Sequence, residues 1–124
     1  MVFFALFAHD PHIVCVPAGS KLFAEGDDGQ VMYVLTLGSA EVSVNNRVVE
    51  TLEPGAVVGE ISIVAPGPRS ATVVAKTDCE FVAVDEQRFS YLVQQAPYFA
   101  TSVMRTLAER LRATSRALAT VDGH

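Results

Sequence analysis

The spacing of apolar residues changes near Asp85, and this change limits the folds that the chain can adopt. Before Asp85, short β-rich segments are separated by Gly, Pro and Asn residues, which favour turns. The segments that predict strands are residues 13–16, 21–24, 31–37, 41–44, 47–52, 71–75 and 80–84. The turn glycines expected at positive φ are Gly19, Gly26, Gly38 and Gly55. Many short strands about ten residues apart are typical of an antiparallel sandwich or a β jelly-roll barrel.

After Asp85 the apolar period becomes about 3.6 residues, which predicts helices. Residues 86–94 predict a short helix, and Pro97 suits the first turn of a long helix that ends near residue 120. Side chains in steps of three and four form a coiled-coil seam along this long helix, with one polar member. The seam consists of Met104, Leu107, Leu111, Thr114, Leu118 and Val121. The stripe either packs on the chain's own strands or pairs with a second copy, and we expect a homodimer.

The length of 124 residues gives room for one domain, which we assign to residues 1–124. We expect a β-barrel over about residues 12–84, followed by a helical lid and dimerisation helix over about 86–120. The net charge of −5 is uneven, because residues 1–99 carry five basic and twelve acidic side chains. An acidic body disfavours nonspecific nucleic-acid binding, so we expect no direct nucleic-acid partner.

The longest apolar run, residues 1–8, is far shorter than the roughly twenty residues that a membrane-spanning helix needs. It also lacks the basic start and the small-residue cleavage site of a signal peptide. We therefore expect a cytoplasmic protein with no membrane partner. Cys15 and Cys79 form no CxxC pair, and both are expected to be buried small apolar side chains.

Residues 59–72 carry the polar groups with the clearest chemistry. A short strand is expected between Gly55 and Gly59, and one helical turn after Gly59 would present backbone N–H groups that suit an anion. Arg69 lies nine residues after Glu60, at the edge of an apolar strand where an unpaired charge is costly. Two interpretations remain open. Glu60 and Arg69 form an internal ion pair, or Arg69 binds a phosphate while Glu60 accepts hydrogen bonds from hydroxyls of the same ligand.

The same segment resembles the phosphate-binding cassette of cyclic-nucleotide-binding domains. The matching motifs are Gly59-Glu60-Ile61-Ser62-Ile63 and Pro68-Arg69-Ser70-Ala71-Thr72-Val73. Weaker similarity covers almost the whole chain, including residues 17–27, 33–42, 75–80 and 110–115. Two features depart from the family pattern. Val58 stands where the family often has Phe, and the N-terminal helix that usually precedes the barrel is short or altered in residues 1–8.

The resemblance implies roles for individual residues of the cassette. Glu60 would accept a hydrogen bond from the ribose 2′-hydroxyl, and Arg69 would pair with the cyclic phosphate. Ser70 and backbone N–H groups of the helical turn would assist Arg69. The implied ligand-binding residues of this segment are Val58, Gly59, Glu60, Ile61, Ser62, Arg69, Ser70 and Ala71.

The resemblance also implies roles for three residues of the long helix. Arg110 would lie near Glu60 and couple the helix to the ligand. Thr114 and Ser115 would contact the base, Ser115 from the partner subunit. The residues alone allow other interpretations: Arg110 is a surface arginine beside Glu109, and the two hydroxyls bond to their own helix backbone.

The family implies a sensor module that binds a cyclic nucleotide and moves its terminal helix, without catalysis. We expect cAMP as the ligand, while Ser70 leaves cGMP open because its hydroxyl also suits a guanine amine. No metal or other cofactor is expected, since His9, His12 and His124 lie outside the predicted strands. The alternatives are a dimerising scaffold with an idle pocket and, less favoured, a cupin-type enzyme.

Overall fold

The structure is a computed structural model that describes the backbone of residues 11–121 and the side chains of residues 11–116. Ten strands precede two longer helices, and a short helix interrupts the strands. The elements are β1 (Ile13–Val16), β2 (Lys21–Phe23), β3 (Asp28–Gly29), β4 (Met32–Leu37), β5 (Ala40–Val44), β6 (Arg47–Leu52), β7 (Val57–Val58), α1 (Glu60–Val64), β8 (Gly67–Pro68), β9 (Thr72–Ala75), β10 (Cys79–Val84), α2 (Glu86–Gln95) and α3 (Pro97–Val121).

The strands form two four-stranded sheets and one short ribbon, with all pairs antiparallel. The first sheet has the order β1-β10-β4-β7, the second has the order β2-β9-β5-β6, and β3 pairs with β8. The predicted class, mainly antiparallel β with C-terminal helices, is confirmed. The two sheets remain separate, each with its own edge strands, so the roll is open rather than a closed barrel.

The first sheet is the middle layer of the molecule, because both faces of β4, β7 and β10 are buried, whereas its edge strand β1 is largely exposed. In β4, Met32 and Val34 face a core shared with the helices, while Leu35 and Tyr33 face a core between the two sheets. Strands β7 and β10 alternate in the same way. The short strand β7 therefore carries the chain from the layered core directly into α1.

The turns follow the predicted glycines. Gly19, Gly26, Gly38 and Gly55 all have positive φ, as expected. At Gly38 a side chain is excluded twice over, because φ is +91° and a Cβ atom would overlap the backbone carbonyl of Asp78. The hairpin between β5 and β6 turns at Asn45 and Asn46, which both have positive φ.

The two C-terminal helices cover the outer face of the first sheet. Asp85 caps α2 by accepting a hydrogen bond from the backbone N–H of Arg88 at 2.8 Å. On α3, Phe99 and Val103 are buried in the core, and Leu107 packs against it. None of the described helices is long and apolar enough to cross a membrane.

The predicted seam of α3 is divided between two environments. Leu107 packs on the chain's own core, whereas Met104 and Leu111 are 60% and 67% exposed. Thr114 is also exposed. The side chains of Leu118 and Val121 lie outside the described residues. The same holds for residues 1–8, His9 and His124.

Most predicted strands match the observed ones within one residue at each end. The two-residue strands β3 and β8 were not predicted, because so short a pair has no apolar period of its own. The expectation for Cys15 is wrong: its side chain is exposed, whereas Cys79 is buried. Cys15 lies on the edge strand β1, where Ile13 and Val14 are exposed as well and Val16 is buried.

Candidate functional site

One pocket lies where the second sheet, α1 and α3 meet. The residues that line it are Phe23, Val42, Val58, Gly59, Glu60, Ile61, Ser62, Pro68, Arg69, Ser70, Ala71, Val73 and Arg110. The structure therefore brings together nine of the eleven residues that the sequence analysis named. Thr114 and Ser115 do not line the pocket.

Arg69 is a buried cation without an ion-pair partner among the residues that the structure describes. Arg69 is only 6% exposed, and it forms no salt bridge with any of the described residues. Its Nη1 donates to the Oγ of Ser62 at 3.3 Å, a long hydrogen bond. Its Nε is buried and has no hydrogen-bond partner among the described residues. A buried polar atom of this kind costs about 1–3 kcal/mol when it has no partner.

The surroundings of Arg69 are mainly apolar and close. The guanidinium carbon lies 4.3 Å from the ring centre of Phe23 and 5.8 Å from that of Tyr33. A Cβ atom at Gly29 or Gly59 would overlap the guanidinium, so both glycines make room for it. Burial lowers the pKa of Arg69, and the neighbouring Tyr33 and Asp27 oppose this shift only in part. The arginine is thus held in a position that would favour an incoming anion.

Glu60 pairs with an arginine of α3 and not with Arg69. Glu60 is 1% exposed, and its Oε1 accepts a hydrogen bond from Nη1 of Arg110. The internal Glu60–Arg69 ion pair, one of the two interpretations of the sequence, is therefore absent from the site. The interpretation of Arg110 as a surface arginine beside Glu109 is also wrong, because Arg110 reaches the pocket.

Arg110 is held by more groups than Glu60 alone. Its Nε and Nη2 donate to the two carboxylate oxygens of Glu50 at 3.0 and 3.1 Å, and Nη2 also donates to the carbonyl of Val57 at 2.8 Å. Burial lowers the pKa of Arg110, but the hydrogen bonds and charges of Glu50 and Glu60 outweigh it and raise the pKa overall. Arg110 therefore links α3 to both β6 and α1 as a permanent cation.

Thr114 and Ser115 lie one turn further along α3, and both are exposed. The hydroxyl of Thr114 donates to the backbone carbonyl of Arg110 at 3.0 Å. This is the local helix hydrogen bond that the sequence analysis gave as the alternative for Thr114. A role of either residue toward a ligand stays a prediction, which for Ser115 places the ligand in the partner subunit.

Two kinds of site residue were not predicted from the sequence. Phe23 and Val42 line the pocket from outside the matching motifs, and Pro68 and Val73 line it from within a motif but were not assigned to the ligand. Glu50 contacts Arg110 across 60 positions of the chain, so no local spacing indicates the pair. No pattern in the sequence of β6 marks Glu50, which the structure shows half-buried between the exposed residues Val49 and Thr51. Within the described residues, no group of three or more His, Cys, Asp or Glu side chains could hold a metal ion.

Residues 13–96 match the cyclic nucleotide-binding domain family. The chain is 35% identical over 96 residues to the Pycsar effector protein XpPycTIR of Xanthomonas perforans, a match that covers 77% of this chain and 32% of that protein. It is 33% identical over 101 residues to the cyclic AMP receptor protein of Thermus thermophilus, covering 77% of this chain and 47% of that protein. The chain thus spans less than half the length of these two relatives.

A comparison with solved structures agrees with these matches. The crystal structure of Thermus thermophilus catabolite activator protein superimposes with a TM-score of 0.79 at 30% sequence identity. The match covers 89% of this chain and 54% of that one. Because the family match includes β1 to α2 and the whole cassette with Glu60 and Arg69, the chain belongs to the cyclic nucleotide-binding domain family.

Proposed function

We propose that this chain is a regulatory module that binds cAMP in the pocket beneath α3 and reports its presence through that helix. The observation that supports this best is Arg69, a buried guanidinium with an unpartnered Nε in a pocket that also contains Glu60. A cyclic phosphate would supply the missing acceptors and the missing negative charge. The family match makes a cyclic nucleotide the natural candidate for that anion.

Each proposed contact uses a group that lines the pocket. Arg69 pairs with the cyclic phosphate through charge-assisted hydrogen bonds, which are stronger than bonds between neutral groups. The hydroxyl of Ser70 and the backbone N–H groups of Gly59, Ile61 and Ser62 complete the phosphate site. Glu60 accepts a hydrogen bond from the ribose 2′-hydroxyl. Val58 and Ala71 line the apolar wall.

The output of the module is a change in the position of α3. Arg110 on α3 contacts Glu60 in the pocket, so a ligand that engages Glu60 changes the surroundings of the helix. A ligand shifts the helix only by as much as it binds one helix position better than the other. We propose that a second copy pairs along α3 through Met104 and Leu111, bringing Ser115 to the partner's ligand beside Thr114. The module does no chemistry of its own and acts in the cytoplasm without contacting nucleic acid directly.

The test is calorimetric titration of the chain with cAMP and with cGMP. We expect cAMP to bind more tightly, and we expect Arg69→Ala to weaken binding on the order of a hundredfold or more, about 3 kcal/mol. The matched control is Arg47→Ala, which removes an exposed arginine from β6. Wild-type protein that binds neither nucleotide would refute the proposal, as would an Arg69→Ala variant that binds like the wild type.

A second candidate function rests on the exposed apolar residues of α3. A scaffold that dimerises through Met104 and Leu111 needs no ligand, and its pocket would be idle. Heating the protein with and without cAMP separates the two functions, because a ligand that binds only the folded state raises the Tm. We expect a cAMP-dependent rise in Tm, and an unchanged Tm would favour the scaffold.

A further inference from the structure

Glu50 makes the most extensive contact with Arg110, yet it lies outside the cassette. It is on β6, the edge strand of the second sheet, and its carboxylate accepts from Nε and Nη2 of Arg110 at 3.0 and 3.1 Å. Two parallel hydrogen bonds between a guanidinium and a carboxylate fix the plane and direction of both groups. Arg110 is therefore oriented by Glu50 more strictly than by any single contact in the pocket.

This orientation determines how Arg110 meets Glu60. The Nε and Nη2 edge faces Glu50, and Nη2 also donates to the carbonyl of Val57. Only Nη1 remains for Glu60, and it reaches a single oxygen, Oε1. Arg110 thus pairs with Glu60 end-on and makes no hydrogen bond to its Oε2.

We propose that Glu50 is a positioning residue that prevents Arg110 from covering both oxygens of Glu60, so that one oxygen stays available to a ligand hydroxyl. The inference rests on the proposed function and adds a specificity determinant to it. One guanidinium is shared by two carboxylates, of which Glu60 is nearly fully buried and Glu50 is partly exposed. Since attraction between charges is stronger away from water, Arg110 released from Glu50 would turn its two-donor edge onto Glu60.

Removing the Glu50 carboxylate should therefore reduce the preference for cAMP over 2′-deoxy-cAMP. A purely structural role for Glu50 would not change this preference. In wild-type protein, we expect cAMP to bind about tenfold to a hundredfold more tightly than 2′-deoxy-cAMP, as for one hydrogen bond to a charged group. In Glu50→Ala, this ratio falls to within about threefold of one. The affinity for 2′-deoxy-cAMP changes by less than about threefold. Glu50→Gln, which keeps the volume of the side chain but not its charge, shifts the ratio in the same direction.

The control is Glu53→Ala, which removes an exposed carboxylate just beyond the end of β6 and should keep the wild-type ratio. A Glu50→Ala variant that loses affinity for both nucleotides equally, with the ratio unchanged, overturns the inference and leaves a structural role for Glu50.

A second measurement follows the carboxyl carbon of Glu60 by NMR in protein without nucleotide. We expect its signal, assigned with Glu60→Gln, to move in Glu50→Ala but not in Glu53→Ala, because Arg110 turns. An unmoved signal overturns the role of Glu50 whatever the chain binds. Wild-type protein that binds neither nucleotide overturns the proposed function instead, so the two failures are distinguishable.

Discussion

At the residue scale, the pocket contains two arginines that differ in their partners: carboxylates surround Arg110, whereas Arg69 has no carboxylate partner among the described residues. Arg110 is surrounded by two carboxylates and a carbonyl, whereas Arg69 has one long hydrogen bond and an unpartnered Nε. Removing a partner from a buried ion pair is costly, because it leaves the other charge unpaired. Removing a buried group that already lacks partners also removes the cost of its burial. The two residues should therefore affect stability differently.

We predict that Arg69→Met leaves the free energy of unfolding within about 1 kcal/mol of the wild type or raises it, because the burial cost offsets the lost contacts. The rise in Tm caused by cAMP should disappear in the same variant. Arg110→Met should lose about 3 kcal/mol, the lower end of the range for breaking a buried ion pair, since Glu60 stays buried.

Urea denaturation of the three proteins without nucleotide measures these differences, and thermal melting with cAMP measures the ligand effect. Equal losses of stability in both variants would contradict the distinction drawn between the two arginines. A large loss in Arg69→Met alone would show that its contact with Phe23 and Ser62 outweighs the unpartnered Nε.

At the element scale, three glycines differ in whether a side chain would be opposed by the backbone conformation, by overlap with neighbouring atoms, or by neither. Gly67 lies in β8 without positive φ and with open space around it, and Gly19 has open space but a φ of +85°. Gly38 combines positive φ with overlap on a backbone carbonyl. We predict that Gly67→Ala is neutral within about 0.5 kcal/mol and that Gly19→Ala costs about 1 kcal/mol. Gly38→Ala should cost at least about 2 kcal/mol, because the backbone of Asp78 must move as well.

The free energies of unfolding of these variants check the order. Circular dichroism at 20 °C or below ensures that each variant is folded before it is compared. A Gly38→Ala variant as stable as Gly67→Ala would contradict the steric account of the turn between β4 and β5.

Local patterns predicted most of the elements but not the contacts between them. Alternating apolar residues and turn glycines located the main strands, and Pro97 marked the start of α3. The pair of Glu50 and Arg110 was not predictable, because it depends on β6 and α3 meeting across the pocket. The exposure of Cys15 was missed for a similar reason, since a short apolar segment does not indicate whether its strand is at the edge of a sheet. The cassette was identified because its residues are close in sequence.

At the scale of the whole molecule, the outer face of α3 exposes two large apolar side chains, Met104 and Leu111. Phe99 and Val103 already attach the helix to the roll, so Met104 and Leu111 are not needed for that attachment. Their seven-residue spacing places them on one stripe, which is the geometry of a helix pair. The proposed contact of Ser115 with a ligand in the partner also requires two copies of α3 side by side. Dimer formation and full affinity for the nucleotide are therefore expected to depend on the same stripe.

We predict that the chain sediments as a dimer of twice its 13.3 kDa mass, and that Met104→Glu combined with Leu111→Glu makes it a monomer. Placing charges opposite each other in an apolar seam is strongly unfavourable, whereas both positions are exposed in the single chain and should tolerate Glu there. The matched control is Tyr91→Glu, which changes an equally exposed apolar residue on α2. Sedimentation velocity measures the mass, and calorimetry with cAMP should show severalfold weaker binding by the monomer, because Ser115 of a partner is then missing. A wild-type chain that is monomeric, or a monomeric variant with undiminished affinity, would contradict this prediction.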